Sequence, residues 1–404
     1  FPVTPDRLRY PNAYLVDVTC LWLIGELRGT LTDAFRADIV RILAYYRDSP
    51  WGWGEHLSDI YAKVCQRELM ALVLWARELP PEAERLVEEL MTDLVRIDGL
   101  FRGGPRVPAL RNYWMDASPC TPETWSDRFR PYTELMTDEA DYYLVARLAR
   151  RHGLEDRFVT PPRPSESFEV DCFDGARALA TVTDRWRLGA MTRYPLMPGI
   201  DHPEWGLHWQ CMPVALWRAR GDWGYLQWAA EEDDTPRALP ALARTDRPSC
   251  VLSDREPDAA VGDTFSQRDG EGFIVYRRLP HVASTWPWAI DRFRLVNNTA
   301  AEPTVDTVGF WHRLVLPWGD VDGTLTVSYM PIAGDPEVAL RRADEGELRF
   351  GATWRFGDER PAAVAGLWHI VVADGPADPP EVTDDGERLT IGSNRTEGAV
   401  TFEK

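Results

Sequence analysis

The chain has 404 residues, a net charge of −19, 44% apolar residues and 27% charged residues, which fits a globular protein of two or three domains. The negative charge argues against a nucleic acid or an anionic membrane surface as a partner. The best candidate for a membrane span, Ala13–Gly25, contains Asp17 and falls short of the roughly 20 apolar residues required. We therefore expect a soluble protein without membrane insertion.

Residues 1–160 are predicted to form a helical domain. Apolar residues recur at spacings of three and four, which is typical of amphipathic helices. The predicted helices are Ala13–Leu27, Leu31–Tyr46, His56–Glu78, Pro81–Asp98 and Thr137–His152. Connections rich in Gly, Pro and aromatic residues separate them, so we expect consecutive helical hairpins.

Residues 161–404 are predicted to form an antiparallel β-sandwich domain. After the linker-like sequence PPRPSES, the apolar period changes toward two. The predicted strands are Ala178–Trp186, Met212–Arg218, Gly272–Arg278, Ile290–Val296, Val305–Leu316, Thr324–Tyr329, Glu347–Trp354, Ala365–Val372, Arg388–Ile391 and Ala399–Phe402. Turn sequences such as DGEG and WGDVDG separate them, and the region shows almost no helical pattern, which favours a large sandwich.

The six cysteines form no CxxC pair, which argues against a zinc ribbon or a thioredoxin-type site. They are either buried free thiols or disulfides of an exported protein. The sequence begins at Phe1 without Met, as a processed chain would. We expect a secreted or periplasmic location, with a cytoplasmic one as the alternative.

Tryptophan is unusually abundant, with 18 residues that tend to cluster. In PWGWGEHLSDIY, residues 50–61, glycines flank Trp51 and Trp53, so we expect at least one of the two at a loop surface or cleft. Indole rings there can stack on sugar rings. Glu55 and His56 stand at the predicted start of the next helix, where His56 is either a hydrogen-bonded helix-start residue or a functional one.

The segment RNYWMDAS, residues 111–118, follows a loop rich in Gly and Pro. Asn112 can neutralise a carboxylate, and Tyr113 can act as an acid or a base. The alternative is that Tyr113 and its neighbour Trp114 simply anchor a long loop.

The segment RYPLMPGIDHPEWGLHWQ, residues 193–210, is the densest in polar and aromatic side chains. Its candidate site residues are Arg193, Tyr194, His202, Trp205, His208, Trp209 and Gln210. Because it begins the β domain, we expect it to lie in a groove against the helical domain. His202 and His208 could also bind a divalent metal with Asp201, although their spacing matches no usual zinc pattern.

This layout, together with WGWGEH, RNYW and the 193–210 segment, resembles polysaccharide lyases of the heparinase II/III-like and chondroitin AC lyase-like types. Those enzymes join a helical toroid to β-sandwich domains. Their toroids usually hold more hairpins than residues 1–160 can supply. The resemblance therefore implies either an incomplete α/α toroid or an absent N-terminal portion.

The resemblance implies β-elimination on a uronic-acid-containing glycan. We expect no cofactor, although a structural divalent metal could be present. One side chain neutralises the uronate carboxylate, a base removes the C5 proton, and an acid protonates the leaving oxygen. The residues assigned to these roles are Asn112 and Arg193 for neutralisation, Tyr194 or Tyr113 as acid or base, and His56, His202 or His208 as partner base. Those assigned to sugar binding are Trp51, Trp53, Glu55, Trp205, Trp209 and Gln210.

Two other functions stay open. An inverting glycosidase on a helical toroid needs two carboxylates about 6.5–9.5 Å apart. Glu55, Asp59, Asp201 or Glu204 could supply them. The chain could also be a non-catalytic glycan-binding protein that keeps the same fold.

Overall fold

The computed structural model describes residues 11–51, 55–58, 61–101, 105–108, 151–153, 165–172, 175–194, 212–219, 222–229, 262–280, 282, 288–296, 302–319, 323–342, 346–357, 360–392 and 399–404. Four α-helices are described, and all of them precede the described strands. They are α1 (Pro11–Arg28), α2 (Asp33–Asp48), α3 (Tyr61–Trp75) and α4 (Pro81–Leu100). A 3-10 turn, Glu55–Leu57, lies between α2 and α3.

Helix starts follow from local chemistry. Thr32 caps α2, because its Oγ1 accepts a hydrogen bond from the backbone N of Phe35 at 3.2 Å. Helix α4 begins with Pro81, whose fixed φ suits the first turn, and Glu82 and Glu84 place negative charge at its positive end. The apolar faces of the four helices form one buried cluster that includes residues such as Trp22, Leu43, Leu69 and Leu90.

Eighteen strands are described, and all their pairings are antiparallel. They are β1 (Ser165–Asp171), β2 (Arg177–Thr183), β3 (Trp186–Met191), β4 (Arg193–Tyr194), β5 (Val214–Arg218), β6 (Trp223–Ala229), β7 (Asp263–Asp269), β8 (Gly272–Leu279), β9 (Trp288–Val296), β10 (Thr304–Val308), β11 (Trp311–Gly319), β12 (Gly323–Ala333), β13 (Glu337–Arg342), β14 (Leu348–Arg355), β15 (Val364–Ala373), β16 (Glu381–Asp384), β17 (Arg388–Gly392) and β18 (Ala399–Glu403).

The strands form three sheets. The eight-stranded sheet has the order β1-β2-β3-β5-β6-β9-β14-β13, and the seven-stranded sheet has the order β10-β11-β12-β15-β8-β7-β4. A small sheet contains β16, β17 and β18. The chain passes from the first sheet to the second at Thr192, between β3 and β4.

The described apolar residues form four hydrophobic clusters that stabilise these layers. The largest joins residues of both large sheets, among them Leu188 and Phe293 of one with Val275 and Trp368 of the other. A second cluster joins the helical segment to the first strands of the eight-stranded sheet. A third packs the small sheet against the outer face of the seven-stranded sheet. The fourth is the helical cluster already described.

The predicted order of helices followed by antiparallel strands is confirmed. The boundary at residue 160 stays a prediction, and the predicted helix Thr137–His152 falls almost entirely outside the described residues. The prediction of a continuous helix His56–Glu78 is wrong at both ends. A 3-10 turn replaces its start, and α3 ends at Trp75.

Two predicted strands also differ. Val305–Leu316 is a hairpin of β10 and β11, because the chain turns at Gly309, whose φ of +61° suits glycine. Ala178–Trp186 stops at Thr183, whose Oγ1 bonds the backbone N and O of Trp186 and closes a tight turn. The sequence did not predict β1, β3, β4, β6, β7, β13 and β16.

None of the described helices combines the length and apolarity that a membrane span requires. Among the described cysteines, Cys20 is exposed and free, whereas Cys65 and Cys172 are free and buried. The prediction of buried free thiols therefore holds for two of these three cysteines.

Gly189 on β3 tests the contact between the helical segment and the sheet. A Cβ added there would lie 2.4 Å from the backbone N of Pro108 and the backbone C of Val107. Gly189→Ala is expected to lower the free energy of unfolding by about 1–3 kcal/mol through overpacking. Urea denaturation measures this change.

Gly357→Ala is the matched control, because no atom lies within 4 Å of the Cβ added at Gly357. The control should unfold at nearly the midpoint of the wild type. Equal midpoints for both variants would contradict the close approach at Gly189.

Candidate functional site

The 3-10 turn Glu55–Leu57 lies at the junction between the helices and the sheets, and Arg106 holds it there. The Arg106 side chain is 2% exposed. Its Nη1 donates to the backbone oxygens of His56 at 2.7 Å and Ser58 at 2.8 Å. Its Nη2 forms an ion pair with Asp98 on α4. One guanidinium thus connects α4, the 3-10 turn and the segment 105–108.

Three side chains donate to the carboxylate of Asp98, two of them cationic and one an amide. Besides Arg106, it pairs with Lys63 on α3 and accepts a hydrogen bond from Nε2 of Gln66 at 2.6 Å. Burial alone would raise the pKa of Asp98, but the charges of Lys63 and Arg106 and the hydrogen bonds outweigh burial and lower it. The carboxylate therefore stays ionised beside the 3-10 turn.

The imidazole of His56 is fully buried at this junction. Its Nε2 lies 3.7 Å from Sγ of Cys172, the residue that follows β1. Within the described residues, its Nδ1 has no hydrogen-bond partner. Burial lowers the pKa of His56 to about 4; Asp93 opposes the shift and Arg106 adds to it. The ring is therefore neutral at pH 7.

The Cys172 thiol is not set up as a nucleophile. Burial raises its pKa, so the thiol stays protonated beside the neutral imidazole of His56. Its backbone N donates to the oxygen of Ala176 at 2.7 Å, which fixes the turn between β1 and β2. The pair of side chains is a buried contact between the helical segment and the sheet.

Hydrogen bonds connect the turn between β1 and β2 to Thr192, the residue before β4. The backbone N of Arg177 donates to Oγ1 of Thr192 at 2.8 Å, and the N of Thr192 donates to the oxygen of Arg177 at 2.8 Å. The N of Ser266 on β7 then donates to the oxygen of Thr192 at 3.1 Å. Thr192 thus fixes β4 beside the turn that contacts His56.

Arg193 and Tyr194 point to opposite faces of the seven-stranded sheet, because side chains alternate along a strand. In the register of β4 and β7, Arg193 is opposite Phe265 and Tyr194 is opposite Thr264. Tyr194 is 6% exposed. Together with Leu57 it belongs to the second hydrophobic cluster, which joins the helical segment to the sheets and is called the junction cluster below. The structure therefore brings Tyr194 to the junction and directs Arg193 to the other face.

A second buried arginine fixes the sheet side of the junction. Nη1 of Arg187 on β3 donates to the backbone oxygens of Phe101 at 3.0 Å and Pro105 at 2.8 Å. Its Cζ lies 5.0 Å from the ring centroid of Trp217, a cation–π contact. These bonds tie the end of the helical segment to the sheet.

Trp51 does not lie at an open cleft. Its side chain is buried in the helical cluster, its ring lies 6.3 Å from that of Tyr46 in a stacked arrangement, and its Nε1 donates to Asp93 at 3.0 Å. Its φ is +60°, a costly conformation for a non-glycine residue that this packing maintains. The structure therefore argues against its predicted role as a sugar platform. Glu55, which was also predicted to bind sugar, is fully buried as well.

The remaining predicted site residues lie outside the described residues. They are Trp53, Asn112, Tyr113, His202, Trp205, His208, Trp209 and Gln210. Their roles stay predictions. Within the part of the chain that the structure describes, no group of three His, Cys, Asp or Glu side chains could hold a metal ion.

Sequence reasoning missed Arg106, Arg187, Asp98 and Cys172. Arginine supplies almost all the positive charge of this chain, so no single arginine was conspicuous. One usable signal was the sequence GGPRVP, where Arg106 is the only charge among Gly, Pro and Val. A lone charge in such surroundings needs a buried partner or an exposed position.

No protein-family model and no curated protein matches this chain. Among solved structures, a crystal structure of heparinase III is similar to this chain with a TM-score of 0.44 and 10% identity. The aligned region covers 97% of this chain and 67% of the heparinase chain. A heparinase III gene product has a TM-score of 0.37 and 12% identity, with coverages of 96% and 65%. This chain spans about two thirds of their length. Similarities of this size establish neither a family nor an activity.

Replacing Arg106 tests the clamp on the 3-10 turn. Arg106→Met is expected to lower the free energy of unfolding by about 2–5 kcal/mol, because two buried carbonyls lose this donor and Asp98 keeps only Lys63 and Gln66. Chemical denaturation measures the loss. Arg85→Met is the control: Arg85 forms an exposed pair with Glu89 and should cost less than about 0.5 kcal/mol. Similar losses in both variants would contradict the clamp.

The low pKa of His56 predicts a pH dependence of stability. The folded pKa of about 4 lies below the unfolded value of 6.5, so between these values only the unfolded chain binds a proton there. Stability therefore falls as the pH drops through this window. From pH 7 to pH 5, wild type should lose about 2 kcal/mol more than His56→Gln, measured by urea denaturation. Parallel pH profiles of the two proteins would contradict a buried neutral His56.

Proposed function

We propose that this protein is a polysaccharide lyase that cleaves a uronic-acid-containing glycan by β-elimination. The catalytic centre would lie between the helical segment, as an incomplete α/α toroid, and the β region, as a β-sandwich. One observation carries the proposal: His56 and Tyr194, distant in sequence, both lie at the helix–sheet junction. A secreted or periplasmic location would suit this activity.

The proposed reaction needs three roles at the junction. Tyr194 would transfer the proton, since it lies at the contact between the helical segment and the sheets. His56 would be a positioning residue at the junction, because its neutral imidazole is fully buried and so would not contact the sugar. Asn112 would neutralise the uronate carboxylate, which acidifies the C5 proton.

Other residues complete the proposal. Tyr113, His202 and His208 remain candidates for the second acid or base, and Trp53, Trp205, Trp209 and Gln210 for the sugar-binding surface. Arg193 is a weaker candidate for neutralisation at this centre, because its strand register directs it away from the face of Tyr194. No metal or cofactor is required for the elimination as proposed.

A panel of uronic-acid polysaccharides tests the function. Turnover should produce an unsaturated uronate, detected by its ultraviolet absorbance. Tyr194→Phe should lower kcat by about 10²–10⁴-fold, because it removes the hydroxyl that moves the proton. Tyr45→Phe is the matched control, since Tyr45 packs in the helical cluster away from the junction.

Three outcomes would contradict the proposal. Full activity in Tyr194→Phe would remove the main acid or base. New reducing ends without ultraviolet absorbance would indicate an inverting glycosidase, although Glu55, its one described candidate carboxylate, is fully buried. Glycan binding without any product would indicate a non-catalytic protein.

A further inference from the structure

A cavity of about 760 Å³ lies where the edges of the three sheets meet. Its walls come from β1 and β2 of the eight-stranded sheet, β7 and β8 of the seven-stranded sheet, and β18 of the small sheet. Its volume falls within the range of small-molecule sites in proteins. None of its lining residues belongs to the junction cluster that contains Tyr194.

Charged side chains line the cavity. Four are cationic, Arg177, Arg268, Arg278 and Lys404, and two are carboxylates, Glu169 and Glu403. On a concave surface, a cation that no carboxylate neutralises attracts anions.

Three of these cations have carboxylate partners. Arg177 pairs with Glu169, Lys404 pairs with Asp384, and Nε of Arg278 lies 2.7 Å from Asp263. These pairs are partly exposed to solvent, so the side chains can rearrange toward a ligand at little cost.

Arg268 differs from the other three. It is half-buried and donates to the backbone oxygens of Phe168 at 3.1 Å and Ala180 at 3.0 Å, and to Oγ1 of Thr181 at 3.0 Å. No carboxylate of the described residues lies within ion-pair distance of it. Burial lowers its pKa, with the charge of Glu169 opposing this. The guanidinium is thus fixed in position by neutral groups, and its charge has no anionic partner there.

An aromatic wall accompanies these cations. Phe265 is stacked on Tyr276 with the ring centroids 6.3 Å apart, and Cζ of Arg278 lies 5.6 Å from the centroid of Phe265. Phe402 of β18 lines the cavity as well. An apolar ring beside guanidinium groups is the combination that suits a sugar ring carrying an acidic substituent.

We propose that this cavity is an accessory binding site for an acidic sugar, whose carboxylate or sulfate pairs with Arg268 while its ring packs on Phe265. The choice of a sugar rests on the proposed function, whereas anion binding at Arg268 does not. The site would hold part of a glycan chain away from the junction and would strengthen binding of long substrates.

Titration calorimetry on the full chain tests this site, with a glucuronate-containing disaccharide and a sulfated disaccharide as separate probes. Arg268→Gln should weaken binding of the preferred probe at least about tenfold, about 1.4 kcal/mol. Wild-type affinity should fall as salt is raised, because the contact is ionic. Arg313→Gln, which changes the charge equally on β11 outside the cavity, is the control and should bind as the wild type does.

Two further variants keep the result interpretable. If Arg268→Gln unfolds, Lys404→Gln at the rim should still weaken binding measurably. Tyr194→Phe should retain binding, so the result does not depend on whether the protein is a lyase. Equal affinity in the wild type and the folded Arg268→Gln variant, or no binding of either probe by the wild type, would overturn the site.

Discussion

The Arg106 guanidinium is the contact on which the geometry of the junction depends. It has almost no access to water and meets two backbone carbonyls of the 3-10 turn together with Asp98 of α4. Buried ion pairs contribute little net stability compared with apolar packing, but breaking one leaves a charge without water or a partner. The contribution of Arg106 is therefore mainly positional. It specifies where His56 lies relative to the sheets.

The sheet side of the junction uses the same chemistry. Arg187 donates to the carbonyls of Phe101 and Pro105, and Gly189 on the same strand lets the backbone of residues 107–108 approach closely. The apolar contacts of the junction cluster bury surface but do not depend on orientation. A hydrogen bond to a carbonyl, in contrast, requires its donor at a defined position. The polar contacts therefore specify how the helical segment meets the sheets, and the cluster stabilises that contact.

The sequence predicted the helices well, because each of the four keeps an apolar face at the 3.6-residue period. It predicted the strands less well where polar residues are buried. On β6, Gln227 is buried and accepts a hydrogen bond from Arg292, so the apolar alternation that marks a strand is interrupted. The same limit applies to the site: His56 was conspicuous, but the partnership of Arg106 with Asp98 depends on the fold and leaves no local pattern.

The short strand β4 separates the two proposed sites. Tyr194 faces the junction, where burial keeps His56 neutral, and Arg193 lies on the face of Phe265, which lines the cavity proposed to bind an acidic sugar. A proton-transfer centre benefits from low dielectric and fixed donors, whereas a site that captures an acidic ligand benefits from an accessible cationic surface. These requirements conflict within one pocket. In the proposed function, alternation along a single strand would satisfy both requirements, because adjacent residues reach opposite faces of one sheet.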